Sequence, residues 1–207
     1  MSYDIRLKHT KTDETAVMKH PQLIRGGTVR AMYNEQTGQL EQAKQVEADI
    51  NVTFNYGKYY NEVTEGDTRF AHDEISAYYA NGTNGPIVTY YGIRGLNGKT
   101  AKESIPMLTD MIDKISKRYK AKDGNWITTE RTKTIYLKNG KEINALEALI
   151  HKEYDEEKQI TYTVDEGSDG GSYWERTAAN AIRPLLDMVM MATDNLTEDD
   201  VVWEVLC

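Results

Sequence analysis

The sequence predicts an α+β or α/β fold, with a single mainly antiparallel or mixed sheet packed by two long helices. Short segments in which apolar and polar residues alternate predict half-buried strands. Two longer segments carry apolar residues at helical spacing. The chain has 207 residues, 39% hydrophobic and 28% charged, which is a globular composition with enough material for one sizeable core. We therefore expect a single domain over residues 1–207.

The first half of the chain supplies mainly strands and turns. Residues 3–7 and 48–56 alternate with a period of two, and 87–91 are rich in β-branched and aromatic side chains, so each predicts a strand. The sequence Arg-Gly-Gly-Thr at 25–28 predicts a turn. Residues 71–80 predict a short helix.

The first long helix follows residue 100. Its apolar stripe consists of Ile105, Leu108, Ile112, Ile115 and Tyr119. Pro106 leaves two alternatives for its start. Thr100 with Glu103 would form a capping box but would place the proline inside the helix, whereas Ser104 as the cap would place it in the first turn.

The second half repeats strand, helix and turn signals. In order, they predict a hairpin arm at 127–137, a turn at 139–140, a helix at 144–152, a strand at 160–164, a flexible linker at 167–172, a long helix at 177–193 and a strand at 201–205. The second long helix is apolar nearly all round. It is therefore either deeply buried or part of a homo-oligomer interface.

The two long helices begin alike. Residues 100–112 and 177–189 match at six of thirteen positions without a gap. Either both segments obey the same rules for capped amphipathic helices, or a strand-helix unit is duplicated, which would place both helix starts at related positions on one sheet. Basic residues lie near both starts, namely Arg94, Lys99, Arg176 and Arg183.

The net charge and the cysteine content limit the partners and the cellular location that we expect for this protein. The formal net charge is -8 and the pI is near 5.1, so the overall field disfavours nucleic acids and anionic membranes as partners. We interpret the basic run at 114–122 as the end of a helix, where cations complement the dipole. The single cysteine, Cys207, allows no intramolecular disulfide. No signal peptide or membrane-spanning segment is evident, and we expect a cytoplasmic location.

No catalytic constellation is predicted, nor any metal or cofactor. The sequence Gly98-Lys99-Thr100 resembles the end of a P-loop, but position 93, where the motif needs glycine, holds isoleucine. The four histidines are not paired at metal-binding spacing. No Gly-x-Ser-x-Gly motif occurs.

Aromatic residues and helix starts instead predict a ligand site. The chain has 14 tyrosines and 2 phenylalanines, and three tyrosine pairs fall within residues 59–91. Tyrosine combines apolar area with a polar hydroxyl, and helix starts attract phosphate or carboxylate groups. Trp174 either packs as a hydrophobic staple or forms a stacking wall. The predicted ligand-binding residues are Asn55, Tyr56, Lys58, Tyr59, Tyr60, Arg94, Asn97, Lys99, Thr100, Trp174, Arg176, Thr177 and Asn180.

Several segments together resemble a family of small uncharacterised proteins of bacteriophages and bacteria. In order, they are Ser2 to Ile5, Arg25 to Thr28, Asn51 to Tyr60, Gly92 to Thr100 and Tyr173 to Ala181. Residues 127–165 look like an insertion relative to shorter members of that family. The resemblance implies a phage or bacterial setting, with the host cytoplasm as the location if the chain is phage-encoded.

Two functional hypotheses follow. The first is a non-enzymatic binding protein that sequesters a small anionic, nucleotide-like ligand, acting as a phage counter-defence sponge. The second is a protein–protein interaction factor that contacts a host or phage protein through its apolar last helix and tyrosine surface. An enzyme acting on a nucleotide or phosphoester is a third class, for which the sequence shows no metal or general base.

Overall fold

The computed structural model describes residues 2–22, 31–34, 36–37, 39–42, 45–76, 79, 82–120, 124–167 and 174–206. The turn predicted at 25–28 and most of the linker predicted at 167–172 lie outside these residues. Tyr78, Tyr173 and Cys207 also lie outside them.

Twelve strands and four α-helices are formed by the described residues. The strands are β1 (Ser2–His9), β2 (Val17–Gln22), β3 (Ala31–Asn34), β4 (Gln39–Gln42), β5 (Gln45–Glu47), β6 (Asp49–Thr53), β7 (His72–Ile75), β8 (Ile87–Tyr90), β9 (Thr128–Lys138), β10 (Lys141–Ile143), β11 (Glu156–Asp165) and β12 (Val201–Leu206). The helices are α1 (Gly57–Thr64), α2 (Ala101–Tyr119), α3 (Ala145–His151) and α4 (Ala178–Asp194).

The predicted α+β class with two long helices is confirmed. The described strands form several small antiparallel sheets where one sheet was expected. The order is β12-β1-β6 in the central sheet and β10-β9-β11 in a second one, while β2-β5, β3-β4 and β7-β8 are two-stranded. Strand β1 pairs with β6 and β12, which lie far from it in sequence, whereas β3-β4, β7-β8 and β9-β10 are pairs of consecutive strands.

The core lies between the central sheet and the helices α1, α2 and α4. Helix α4 is the most apolar of them, and its side chains Leu185, Met188 and Met191 are completely buried. Deep burial in this chain, and not an oligomer interface, therefore accounts for most of its apolar surface. The burial of each such side chain stabilises the fold by roughly 1.5–3 kcal/mol.

Residues 128–165 form a second three-stranded sheet and one short helix, which together we call the arm. It comprises β9, β10, α3 and β11, and Asn139-Gly140 turns the chain with positive φ at both residues. Its attachment to the core runs through Ile127, whose N–H donates to the Tyr119 carbonyl at 3.0 Å. The arm covers the predicted insertion, whose status as an insertion stays a prediction.

Two local predictions were wrong. Residues 72–75 are strand β7, where a helix was predicted for 71–80. The strand predicted to run to residue 56 stops at Thr53, because the Thr53 hydroxyl accepts the Asn55 N–H and turns the chain into a short 3-10 helix. Helix α1 follows directly, and the sequence pattern did not predict it.

Helix α2 begins with the capping box that its sequence allows. Thr100 accepts the Glu103 N–H at 3.3 Å, and the Glu103 carboxylate accepts the Thr100 N–H at 2.8 Å. Pro106 therefore lies inside the helix. It lacks the N–H that would bond to the carbonyl four residues earlier.

The duplicated strand-helix unit is not formed. The strand before α2 is β8, which belongs to the β7-β8 pair, and the strand before α4 is β11, which belongs to the arm. The two helix starts therefore do not occupy related positions on one sheet. The likeness of the two segments is explained by their shared helical pattern, since Thr100 and Thr177 both cap a helix.

Candidate functional site

The two helix starts lie at opposite ends of an antiparallel helix pair. At the start of α2, Thr100 bridges Val202 of β12. At the end of α2, the Tyr119 carbonyl accepts the Ile127 N–H, and the Ile127 carbonyl accepts the Glu166 N–H. The Glu166 carbonyl in turn accepts the Ala179 N–H in the first turn of α4. A helix of 19 residues, about 28 Å, thus separates the two starts, and they do not share a cleft.

The start of α2 is closed by a carboxylate of the same helix. Glu103 accepts both the N–H and the hydroxyl of Thr100, at 2.8 and 2.9 Å. These two hydrogen bonds lower the pKa of the Glu103 carboxyl. An external anion at this helix start would have to displace Glu103.

The start of α4 is closed by a buried carboxylate from the base of the arm. The Glu166 side chain is 1% exposed. Its Oε2 accepts the Tyr59 hydroxyl at 2.5 Å and the Ala178 N–H at 3.1 Å. Its Oε1 accepts the Thr129 hydroxyl at 3.0 Å and lies 3.4 Å from Nη2 of Arg131. This cluster of Glu166, Tyr59, Thr129, Arg131 and Ala178, here called the Glu166 cluster, joins α1, the arm and α4.

A second tyrosine–carboxylate pair lies beside the Glu166 cluster. The Tyr119 hydroxyl donates to Glu62, and the Tyr119 and Tyr59 rings pack edge to face with centroids 5.0 Å apart. Burial, followed by the hydrogen bond to the neighbouring carboxylate, raises the pKa of both tyrosines. Both hydroxyls are thus held in the neutral form that donates to an acid.

The three tyrosines predicted to bind a ligand are part of the hydrophobic core. Tyr56, Tyr59 and Tyr60 are fully buried. The Tyr60 hydroxyl donates to the Ala181 carbonyl at 2.9 Å, and the Tyr59 hydroxyl lies 3.0 Å from the Arg176 carbonyl. The hydroxyls of Tyr59 and Tyr60 therefore contact backbone carbonyls and an acid around the start of α4, and the burial of all three rings leaves no ring face for a ligand.

Other predicted site residues also have structural partners. Arg94 forms an ion pair with Glu74, and the Asn97 side-chain oxygen accepts the Val205 N–H at 3.2 Å. The Lys99 carbonyl accepts the Trp203 N–H at 2.8 Å. Thr177 and Asn180 are buried in the cap of α4, where the Thr177 hydroxyl accepts the Asn180 N–H at 3.1 Å.

Four predicted residues keep exposed side chains near the start of α1 and α4. They are Asn55, Lys58, Trp174 and Arg176. The Asn55 amide donates to the Trp174 carbonyl at 3.0 Å, and Trp174 is 57% exposed. This exposure argues against the hydrophobic staple, because a staple residue packs its side chain against the helix.

A concave surface lies between α1 and the second half of α2, and we call it the basic groove. It is lined by Glu62 and Val63 of α1 and by Lys114, Lys117 and Arg118 of α2, with a volume of 410 Å³. Three cations and one carboxylate give the lining a net charge of +2, in a chain of net charge -8. Cations therefore predominate among the lining residues, whereas acids predominate in the chain as a whole.

The cations of the groove differ in how they are paired. Lys114 lies 2.9 Å from Asp110 and 3.6 Å from Asp67. Arg118 lies 3.3 Å from Glu62. For Lys117, no carboxylate of the described residues is within ion-pair distance. Lys58 borders the groove, 3.9 Å from Glu62.

Sequence reasoning missed both the groove and the Glu166 cluster. The run at 114–122 was interpreted as a helix end, which it is, but the groove needs α1 as its second wall. Glu166 precedes the helix it caps by twelve residues, and no local pattern marks such a distant cap.

Comparisons with known proteins give no match: no family model, no curated protein and no solved structure is similar to this chain. None of the described helices combines the length and the apolar character needed to cross a bilayer. Within the described residues, no three histidine, cysteine or acidic side chains are grouped so as to hold a metal ion.

Proposed function

We propose that this chain is a binding protein for a small anionic, nucleotide-like ligand, and that the phosphate of the ligand occupies the basic groove. The observation that carries the proposal is the groove itself, where Lys114, Lys117 and Arg118 converge on one concave surface of an acidic protein. The groove is shallow and open to solvent, with a volume of about 410 Å³, so it would hold the charged end of a ligand.

The charge distribution favours a small anion over a nucleic acid. Screening in physiological salt limits the reach of exposed charges to about 8 Å. A ligand that fits inside the groove meets its net charge of +2, whereas a long polyanion would extend over surfaces that contribute to the total of -8. The proposal therefore combines local attraction with repulsion of larger polyanions.

An aromatic group on the ligand has a candidate partner in Trp174. Asn55, which holds the Trp174 carbonyl, lies one turn before Lys58 and two turns before Glu62 on the same side of the segment. The stretch from Asn55 to Glu62 spans about 10 Å of helix. A ligand with a ring and a phosphate joined by a linker of this length would stack on Trp174 and place its charge near Lys58 and the groove.

The resemblance to phage and bacterial proteins supports a particular setting for this activity. In a phage, a protein of this kind would sequester a signalling nucleotide of the host defence. No chemical step is part of the proposal. The ligand would be released unchanged.

Titration calorimetry with pyrophosphate, adenosine triphosphate and cyclic dinucleotides tests the proposal. We expect Lys117→Gln to weaken binding about tenfold, equivalent to about 1.4 kcal/mol, because it removes one hydrogen bond to a charged group. Glu62→Gln should strengthen binding, since it removes the carboxylate of the groove. Binding should also weaken as salt is added.

The matched control is Lys102→Gln. Lys102 is exposed near the other end of α2, so this variant makes the same change in charge on the same helix. It should bind as the wild type does. No binding of any probe, or equal weakening by Lys102→Gln and Lys117→Gln, would overturn the proposal.

A further inference from the structure

Strands β7 and β8 form an isolated ribbon. They pair with each other in the register His72 to Tyr90 through Ile75 to Ile87, and β8 pairs with no other described strand. The base of the ribbon is fixed to the body by the ion pair of Glu74 with Arg94. Strand β8 is exposed along its whole length, with Ile87 at 71%, Val88 at 38% and Tyr90 at 41%. These are large apolar side chains on a strand whose outer edge no other described strand covers.

The register shows which backbone groups face outward. Ser76 donates its N–H to the Pro86 carbonyl at 2.9 Å, so this pair is of the hydrogen-bonded type. Antiparallel pairs alternate, and the hydrogen-bonded positions of β8 are therefore Val88 and Tyr90. The N–H and C=O groups of Ile87 and Thr89 point away from β7. The described residues provide no backbone partner for them outside the ribbon.

We propose that β8 pairs antiparallel with β8 of a second copy of this chain. In the symmetric register, Val88 lies opposite Val88 of the second copy, and Ile87 lies opposite Thr89. Each of the two Ile87–Thr89 pairs exchanges two backbone hydrogen bonds, which gives four across the interface. The result is a continuous four-stranded sheet with the two β7 strands outside.

Symmetry favours a second copy as the occupant, because the uncharged segment of β8 can pair with itself about Val88. Each copy has a net charge of -8, so association needs a contact segment that brings no like charges together. Residues 87–90 carry no charge, and their β-branched and aromatic side chains are of the kind that pairs well across strands. The outer strand β7 carries Asp73 and Glu74, and such charges protect an edge against further pairing. The assembly therefore stops at a closed dimer.

Sedimentation velocity of the full chain tests the dimer, with three variants. Thr89→Pro removes the outward N–H and the hydroxyl bond to Asp73, keeps every backbone bond to β7, and should give a monomer. Thr89→Val keeps that N–H and loses only the hydroxyl bond to Asp73, and should remain a dimer. Val88→Lys places two like charges opposite each other and should weaken association at least about tenfold, less so at high salt.

Circular dichroism and thermal unfolding show which variants keep the fold. If Thr89→Pro does not fold, Val88→Lys provides the test of the interface. A monomeric wild type would overturn the proposal, as would a dimer that survives in folded Thr89→Pro or a Val88→Lys dimer as tight as that of the wild type. A dimer lost in these variants and kept in Thr89→Val would support it.

Discussion

The substitution Glu166→Gln tests how the start of α4 is held. It keeps the size of the side chain and removes the charge that Arg131, Tyr59, Thr129 and the Ala178 N–H all face. A hydrogen bond to a charged group contributes about 1.5–3 kcal/mol, and glutamine retains part of this set. Removing one member of a buried ion pair costs about 3–5 kcal/mol, but Arg131 keeps Glu175 at 3.4 Å. We therefore expect a loss of about 2–4 kcal/mol in the free energy of unfolding.

Urea unfolding followed by circular dichroism measures this loss, and thermal unfolding provides a second reading. For a chain of this size, 3 kcal/mol corresponds to a fall in Tm of roughly 6–12 °C. The control is Glu153→Gln on the arm, which breaks an exposed ion pair with Lys138 and should leave the curve unchanged. If Glu166→Gln cost no more than this control, the Glu166 cluster would not be what closes the helix start.

Two further predictions concern the core. Gly95→Ala should destabilise the protein by more than about 2 kcal/mol in urea unfolding, because a Cβ at Gly95 would lie 2.3 Å from the Phe70 Cα and backbone cannot easily move aside. Stability should also fall above about pH 10, because the unfolded tyrosines ionise there while the raised pKa of Tyr59 and Tyr119 keeps them neutral in the folded state. Urea unfolding up to about pH 11 should show a shallower fall for Tyr59→Phe, and an equal fall would contradict the prediction.

The elements that were predicted correctly carry their signal locally. Strand β1 alternates strictly between Ser2 and Lys8, and helix α2 combines an apolar stripe with a capping box. Pro106 did not prevent that helix, since the capping box and the buried stripe outweigh one missing hydrogen bond. For α4, the nearly continuous apolar surface left burial and an oligomer interface as alternatives, and the structure buries most of it.

The elements that were missed depend on tertiary contacts. Helix α1 begins with glycine and contains two adjacent tyrosines, which favour strands when taken alone. It forms a helix because Tyr59 and Tyr60 both reach the start of α4. Without α1, the sequence could not show that Glu62 faces Lys117 and Arg118 across a groove. Several of the predicted ligand residues lie at helix starts, because the unpaired N–H groups there attract anions. In the structure, the chain's own carboxylates, Glu103 and Glu166, already occupy those starts.

The most direct test of the account is to map binding residue by residue. Backbone amide chemical shifts would be recorded while pyrophosphate and then adenosine triphosphate are added. We predict saturable shifts that centre on residues 58–63 and 114–118, with adenosine triphosphate also shifting the Trp174 indole. Shifts that centre instead on Thr100 or Thr177, or no saturable shift at all, would contradict the proposed anion site in the basic groove.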